Sequence, residues 1–216
     1  MTYFTKEKIY LILSSIFTVS LVTGNLIFQK FVDIKFPFIN HVFQVSAGLC
    51  FFPITFVIAD VISEIYGKKK AEYVVLTGLV SGIFVMAITS IARNLDASSW
   101  SSVSNNDFDL VFGNYNSAFF ASMLAGFIAQ ILDVRIFISL KLITHKKHLW
   151  LRNNVSTIVA QFVDTMLVIF IMHCFGVFPI DDFWYIFLNS FGFKVIFAIL
   201  DTPFVYLLVH LVKKAK

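Results

Sequence analysis

Charged residues are scarce in this chain of 216 residues: Asp, Glu, Lys and Arg make up 14% of it, whereas a soluble domain carries about 25%. Hydrophobic residues make up 58%, 27 residues are phenylalanine, and the mean hydropathy is +0.84. This composition excludes a disordered chain and an ordinary cytosolic enzyme. The length suits a compact bundle of about six membrane helices, each of about 20 residues.

Cysteine and catalytic motifs are scarce as well. The two cysteines, Cys50 and Cys174, have neither the number nor the spacing of a disulfide framework or a metal site. The sequence contains no Gly-x-Ser-x-Gly, His-Glu-x-x-His or phosphate-loop motif. His145 and His148 lie among lysines, which disfavour a divalent cation, and the other three histidines are scattered. We therefore expect no metal ion, no cofactor and no enzymatic activity.

Six apolar stretches are long enough to cross a bilayer. They lie at residues 9–28, 43–62, 73–92, 117–138, 155–176 and 184–212. The first follows two lysines, as a signal peptide does, but it is too long and lacks a small-residue cleavage pattern, so we expect a retained helix. The sequence predicts an all-α polytopic membrane protein with a single six-helix transmembrane domain over residues 1–216.

Lysine and arginine are unevenly distributed over the predicted connections. With the N-terminus inside, twelve of them lie on the inner segments and three on the outer segments. Because cytoplasmic loops carry an excess of these residues, both termini are predicted to be cytoplasmic. The same rule explains the basic cluster at residues 68–70, so we expect no nucleic-acid partner. Of the outer connections, residues 31–42 suit either a hairpin or a re-entrant segment, and residues 93–116 suit a solvated connector.

Ionisable and amide side chains interrupt the predicted spans, although an ionisable group at the membrane centre costs about 2.5–3.5 kcal/mol. Within each helix they are three, four or seven residues apart and therefore share a face. Hydrogen bonding between helices explains single glutamines, whereas several carboxylates and a lysine at similar depth predict a polar, substrate-binding cavity. The candidate residues are Asp60, Glu64, Gln130, Asp133, Gln161, Asp164, Lys194 and Asp201.

Two charged residues near the predicted inner boundary have a second interpretation. Glu64 is four residues before Lys68 and suits an ion pair with it on one helix. Arg135 suits a side chain that extends toward the inner interface.

The fourth and fifth spans share the pattern Ala-Gln-x-x-Asp, at residues 129–133 and 160–164. Because these helices run in opposite directions, the rise per residue places Gln130 level with Asp164 and Asp133 level with Gln161. Two facing Gln–Asp pairs would form if the helices touch. Carboxylates and amides complement the edge of a flat nitrogen heterocycle, and they equally suit a cation, an amine or a proton relay.

The second span ends in the string FPITFVIADVISEIYG, residues 52–67, which resembles the signature of the queuosine-precursor transporter family of bacterial inner-membrane proteins. Residues 130–134 and 156–164 resemble the fourth and fifth helices of that family. The resemblance implies import, for tRNA queuosine salvage, of 7-cyano-7-deazaguanine, 7-aminomethyl-7-deazaguanine or queuine. It implies binding roles for Asp60, Glu64, Gln130, Asp133 and Asp164. The assignments of Lys194 and Asp201 rest on the membrane argument alone.

Two modes of transport stay open at this stage. The first is a stand-alone importer in the inner membrane, with a deazapurine substrate and the lipid bilayer as its partners. The second is a substrate-binding subunit of a multi-component, energy-coupled vitamin-type importer, in which Ser20 and Gly24 would form a close-packing face. The sequence does not decide the preferred precursor, the coupling ion, the energising partners or whether a homo-oligomer forms.

Overall fold

The computed structural model describes residues 5–37, 41–112, 115–176, 181 and 183–214. Within these residues the chain forms eight α-helices, a two-stranded sheet and a 3₁₀ turn at Ala47–Cys50. The strands are β1 (Phe31–Lys35) and β2 (Val42–Ser46). The helices are α1 (Lys6–Leu26), α2 (Phe52–Ile65), α3 (Lys68–Arg93), α4 (Asn105–Phe112), α5 (Tyr115–Ile143), α6 (Leu149–Cys174), α7 (Phe183–Leu200) and α8 (Thr202–Lys214).

Six helical segments are long and apolar enough to cross a membrane, and each overlaps one predicted span. They are Lys6–Leu26, Ala47–Ile65, Lys68–Arg93, Phe119–Ile143, Leu149–Cys174 and Phe183–Leu200. Large hydrophobic side chains such as Phe84, Ile91 and Phe170 are exposed on these helices, as expected of surfaces that contact lipid. The prediction of six membrane-spanning helices is confirmed, and the chain is a multi-pass membrane protein.

The sixth span departs from its prediction as one helix over residues 184–212. It is interrupted at Asp201, where α7 ends and α8 begins. The cause lies two residues further on, because Pro203 has no amide hydrogen to donate and its ring disfavours the preceding helical turn. The Asp201 amide still bonds to the Phe197 carbonyl at 2.8 Å, so the interruption is a single residue long.

The connection after α1 is a hairpin. Strands β1 and β2 pair antiparallel, with Phe31 opposite Ser46 and Lys35 opposite Val42. Alternate residues of β2, Phe43 and Val45, are buried and pack against Phe193 of α7. This alternation gives the hairpin one apolar face, which attaches it to the helical bundle.

The connection after α3 contains a helix, α4, which the sequence analysis did not predict. Its first turn is closed by a reciprocal cap between Ser104 and Asp107. The Asp107 amide donates to the Ser104 hydroxyl at 3.2 Å, and Asp107 Oδ2 accepts from the Ser104 amide at 3.0 Å. The Ser104 hydroxyl and amide hold the pKa of the Asp107 carboxyl below its usual value.

Helix α2 is the centre of the bundle. Every residue from Thr55 to Ser63 is buried, and α2 contacts α1, α3, α5, α7 and α8. Helices α5 and α6 form the most extensive helix pair. Where α1 meets the 3₁₀ turn, a Cβ on Gly48 would lie 2.0 Å from the Gly24 carbonyl oxygen. The predicted small-residue face at Gly24 is thus used within this chain.

Candidate functional site

A cavity of about 370 Å³ lies between α1, α2, α5, α6, α7 and the hairpin. This volume is within the range of small-molecule sites, about 300–1,000 Å³. Aromatic side chains, including Phe28, Phe31 and Phe52, supply much of its wall. The polar lining consists of Asn25, Gln44, Ser46, Ser122, Asp164, Thr165, Tyr185, Asn189, Ser190 and Lys194.

An ion pair is buried in the cavity wall. Lys194 Nζ donates to Asp164 Oδ2 at 2.5 Å and to the Thr165 hydroxyl at 3.0 Å. The ammonium also lies 5.2 Å from the centre of the Phe52 ring. Asp164 Oδ1 has no hydrogen-bond partner among the residues that the structure describes. The wall therefore combines a carboxylate oxygen without a partner, a cationic donor and an aromatic face.

Three further carboxyl groups, Asp60, Asp133 and Asp201, form a deeper carboxylate cluster that does not line the cavity. The Asp60 carboxyl lies against that of Asp133, and both residues have no exposed surface. The Thr157 hydroxyl donates to Asp133 Oδ1 at 3.4 Å, and the Asn153 amide donates to Asp201 Oδ1 at 3.2 Å. Neither oxygen of Asp60 accepts a hydrogen bond from any residue in the described ranges.

Glu64 belongs to a separate ion-pair centre. Its carboxylate lies 2.8 Å from Arg152 Nη2, 3.0 Å from Lys141 Nζ and 3.9 Å from Lys213 Nζ. It therefore joins α2 to α5, α6 and α8. The structure does not give Glu64 the ion pair with Lys68 that the sequence suggested, because Lys68 lies 3.8 Å from Glu72.

Arg135 lies where the sequence suggested, whereas Arg152 does not. The Arg135 side chain is 63% exposed and contacts Glu72 at 3.7 Å, in agreement with its expected extension to the interface. Arg152 was counted among the inner-connection residues, yet it is buried in the first turn of α6. The sequence contained a hint of this burial: Arg152 is four residues before Ser156, which belongs to the polar stretch of the fifth span, so both residues lie on one helix face.

The two glutamines lie between the cavity and the carboxylate cluster, but the predicted Gln–Asp pairs are wrong. Gln130 donates to the Thr55 hydroxyl at 3.0 Å. Thr157 contacts Asp133, and Asp164 faces Gly126, where a Cβ would lie 3.9 Å from Asp164 Oδ1. The register thus differs from the prediction by about one helical turn.

The helix ends explain little of this difference. The predicted ends were residues 138 and 155, whereas α5 runs to Ile143 and α6 starts at Leu149. Because these two shifts nearly cancel for antiparallel helices, the difference comes mainly from how far the two packed helices are displaced along each other. The carbonyl oxygens of both glutamine side chains lack a partner within the part of the chain described, so each retains an unused acceptor.

Several cavity residues were missed because they come from the hairpin and the ends of helices. Tyr185 donates to Gln44 Oε1 at 3.2 Å and so connects α7 to β2. The ring of His41 lies 3.0 Å from Asn189 Oδ1. Asn25 could have been selected from the sequence, since it is an amide side chain in the first apolar span. Gln44 could not, because a polar residue next to a loop does not by itself indicate a binding site.

Comparison with known proteins agrees with this architecture. A family model described as putative vitamin uptake transporter matches residues 46–208. A probable queuosine precursor transporter of Bacillus subtilis (strain 168) is 28% identical over 152 residues, which cover 70% of this chain and 66% of that relative. The match thus spans slightly less than two thirds of the relative's length. No solved structure matches the chain. The family match includes α2 and α5–α7, and with them the ion pair and the carboxylate cluster.

Proposed function

This chain belongs to the family described as putative vitamin uptake transporters, and from that premise we propose that it imports 7-deazaguanine precursors of queuosine. The candidate substrates are 7-cyano-7-deazaguanine, 7-aminomethyl-7-deazaguanine and queuine. Support for the substrate class comes from the Bacillus relative, whose name specifies a queuosine precursor. The observation that carries the proposal is the Asp164–Lys194 pair in the cavity wall.

The chemistry of this pair matches the edge of a guanine-type ring. Such an edge carries a ring N–H and an exocyclic amine next to a carbonyl oxygen. A carboxylate accepts two parallel N–H bonds, and an ammonium donates to a carbonyl. Asp164 would accept from the two nitrogens, Lys194 would donate to the oxygen, and Phe52 would contact the ring face. The free Oδ1 of Asp164 makes this possible without breaking the ion pair.

The remaining candidate residues have supporting roles in the proposal. Gln130 and Gln161 lie next to the cavity and retain unused acceptors for a substrate that moves inward. Glu64 stabilises the far end of the bundle. Asp60, Asp133 and Asp201 lie beyond the glutamines, in the buried carboxylate cluster that does not line the cavity.

The proposed orientation places both termini in the cytoplasm, and the whole chain acts as one transmembrane domain in the cytoplasmic (inner) membrane. Lys141, Arg152 and Lys213 converge at the end of the bundle where Glu64 lies. Positive charge is favoured on the cytoplasmic side. The hairpin and the cavity mouth then face outward, where a substrate for import arrives.

A complementation experiment tests the function. The chain is expressed alone in a strain that can neither make queuosine nor import its precursors. Each precursor is supplied, and queuosine in tRNA is measured by mass spectrometry. We expect rescue by at least one precursor without added partner proteins. Absence of rescue, with the protein present in the membrane, would contradict the proposal, whereas rescue only with an added ATPase and scaffold would identify a subunit of a larger importer.

The same assay tests the site. Asp164→Asn removes one charge and one acceptor, and hydrogen bonds to charged groups contribute about 1.5–3 kcal/mol. We expect uptake to fall by about 10- to 100-fold. Asp96→Asn, at an exposed position, is the matched control and should transport normally. Normal uptake by the Asp164→Asn protein would remove this residue from the site.

A further inference from the structure

We propose that the carboxylate cluster of Asp60, Asp133 and Asp201 is a proton-binding site that couples substrate import to the proton gradient. This inference rests on the proposed function for its cargo. The cluster does not line the cavity. Its proposed ligand is a proton, which is not needed for the substrate to bind at Asp164 and Lys194.

Carboxyl oxygens at the centre of the cluster lack hydrogen-bond donors among the described residues. Asp60 and Asp133 lie against each other, fully buried, and two ionised carboxylates in contact repel one another. Three oxygen atoms accept no hydrogen bond from the residues that the structure describes: both carboxyl oxygens of Asp60, and Oδ2 of Asp133. One added proton supplies the donor that both groups lack, and it turns their repulsion into a hydrogen bond.

A neighbouring side chain outside the carboxylate cluster, Ser63, is unsatisfied as well. The Ser63 hydroxyl is buried and lacks a partner within the described chain. It lies three residues after Asp60 and therefore on the same face of α2. A buried hydroxyl without a partner costs about 1–3 kcal/mol, so the face of α2 that carries Asp60 holds a second unsatisfied polar group, as expected beside a site of proton exchange.

Positive charge is scarce around Asp60. Asp133 comes from α5, Asp201 from the α7–α8 junction and Arg152 from α6, while Glu64 follows on α2 itself. Arg152 is bonded to Glu64 at 2.8 Å and to the Lys147 carbonyl at 2.7 Å, and its buried Nε donates to no residue in the described ranges, so its guanidinium makes no hydrogen bond to Asp60. Helices α1 and α3 contribute apolar side chains to this part of the core.

The remaining cations do not supply the deficit. Lys141 and Lys213 both lie on Glu64. The cluster therefore carries more negative charge than its neighbours balance, and buried charge of this kind is neutralised by proton uptake.

A proton fits the cluster better than a metal ion does. In the described part of the chain, no three carboxylate, histidine or cysteine side chains converge as a metal site requires. Protonation needs only one oxygen. The step is simple: a carboxylate takes a proton from the outer side and later releases it to the cytoplasm as the carboxylate re-forms. Buried aspartates of this kind are the proton relays of other membrane transporters.

A series of contacts along α2 and α5 runs from the cavity toward the cluster. Phe52, whose ring lies beneath Lys194, accepts a hydrogen bond through its carbonyl from Thr55 at 2.7 Å. Thr55 in turn accepts from Gln130 at 3.0 Å. Gln130 lies one turn from Asp133 on the same face of α5. Substrate binding at Lys194 and proton binding at Asp60 can thus influence each other through α2 and α5.

Proteoliposomes containing the purified full chain test the coupling. If one proton accompanies each substrate, an inward gradient of about one pH unit concentrates labelled 7-cyano-7-deazaguanine about tenfold. We expect a protonophore to abolish this accumulation. Asp60→Asn and Asp133→Asn should abolish it too, yet retain gradient-independent exchange of labelled for unlabelled substrate, which shows that they are folded. Asp96→Asn is the control.

Accumulation that persists in both variants, or that follows a sodium gradient, would overturn the proposal. A second readout does not depend on the cargo. The infrared spectrum of the protein in hydrated membranes should contain a protonated carboxyl band that is lost in the Asp60→Asn protein, and absence of this band from the original protein at neutral pH would also overturn the proton site. Failure of exchange with all three precursors, with the band present, would reject the proposed cargo instead.

Discussion

Lys194 is stabilised in the bundle by one carboxylate and one aromatic ring. Its ammonium bonds to Asp164 at 2.5 Å and lies 5.2 Å from the centre of the Phe52 ring, while its side chain is 6% exposed. Such a buried charge is tolerated only because its partner is present. The same pair that binds substrate in our proposal therefore also supports the fold, and the two contributions can be separated by mutation.

Lys194→Met should lower the stability of the protein, because it leaves the Asp164 carboxylate buried and unpaired. Breaking a buried pair on one side costs about 3–5 kcal/mol. Adding Asp164→Leu should recover most of this loss, while uptake stays absent in both variants. Thermal unfolding in detergent and the complementation assay provide the two measurements. Equal stability of the single and double variants would show that the pair contributes nothing to folding.

The individual polar residues were readable from the sequence, but their partners were not. An aspartate in an apolar span is conspicuous wherever it lies, so Asp60, Asp133 and Asp164 could be selected directly. Which cation meets which carboxylate depends on how helices are rotated and shifted against one another. For this reason the sequence suggested an ion pair between Glu64 and Lys68, four residues along the chain. In the structure, Arg152 from α6 forms the closest ion pair with Glu64.

At the scale of helices and strands, two glycines determine how closely α1 approaches the segment that leads into α2. Gly24 and Gly48 bring their backbones together, and a methyl group on Gly48 would lie 2.0 Å from the Gly24 carbonyl oxygen and 3.3 Å from Phe28 Cα. Both glycines also line the cavity. The contact therefore positions one wall of the candidate site.

Gly48→Ala should destabilise the protein by about 1–3 kcal/mol or more, since overpacking against backbone cannot be relieved by a side-chain rotation. Gly192→Ala is the matched control: its added Cβ would meet Phe43 at 3.4 Å, an ordinary contact. Alanine is also the better helix former by about 1 kcal/mol. We expect a lower unfolding temperature only for Gly48→Ala, and equal temperatures for the two variants would contradict the close packing.

The helices themselves were predictable because their length and hydropathy are local properties of the chain. The interruption at Asp201 was also within reach, since Pro203 marks it, although the continuous apolar character of residues 184–212 concealed it. The hairpin required more. Its pairing depends on Phe43 and Val45 meeting Phe193, which is about 150 residues away, and no local pattern contains that information.

For the molecule as a whole, charge is separated between the two ends. Lysines and arginines are concentrated around Glu64 and near the termini. The hairpin and α4 lie in connections at the opposite end of the bundle. The six spans alternate in direction along the chain, so the side of any one connection determines the side of all the others.

Reporter fusions test this arrangement. A fluorescent protein fused after Lys216 should fluoresce, and alkaline phosphatase fused there should be inactive. Alkaline phosphatase inserted in the exposed connection between Asn94 and Ser104 should be active, because that enzyme folds in oxidising compartments outside the cytoplasm. The opposite pattern would invert the proposed orientation and, with it, the direction in which the cavity opens.

The ion pair in the cavity also has a consequence for how the protein is made. Asp164 and Lys194 lie thirty residues apart on neighbouring helices, so α6 emerges from the ribosome before the cation that neutralises it has been synthesised. A membrane segment with an unpaired carboxylate is poorly retained by lipid. We therefore expect α6 to remain beside the insertion machinery until α7 has been synthesised, so that the two helices enter the bilayer as a pair. The contact that shapes the finished cavity is thus also expected to govern the order in which its last helices are inserted.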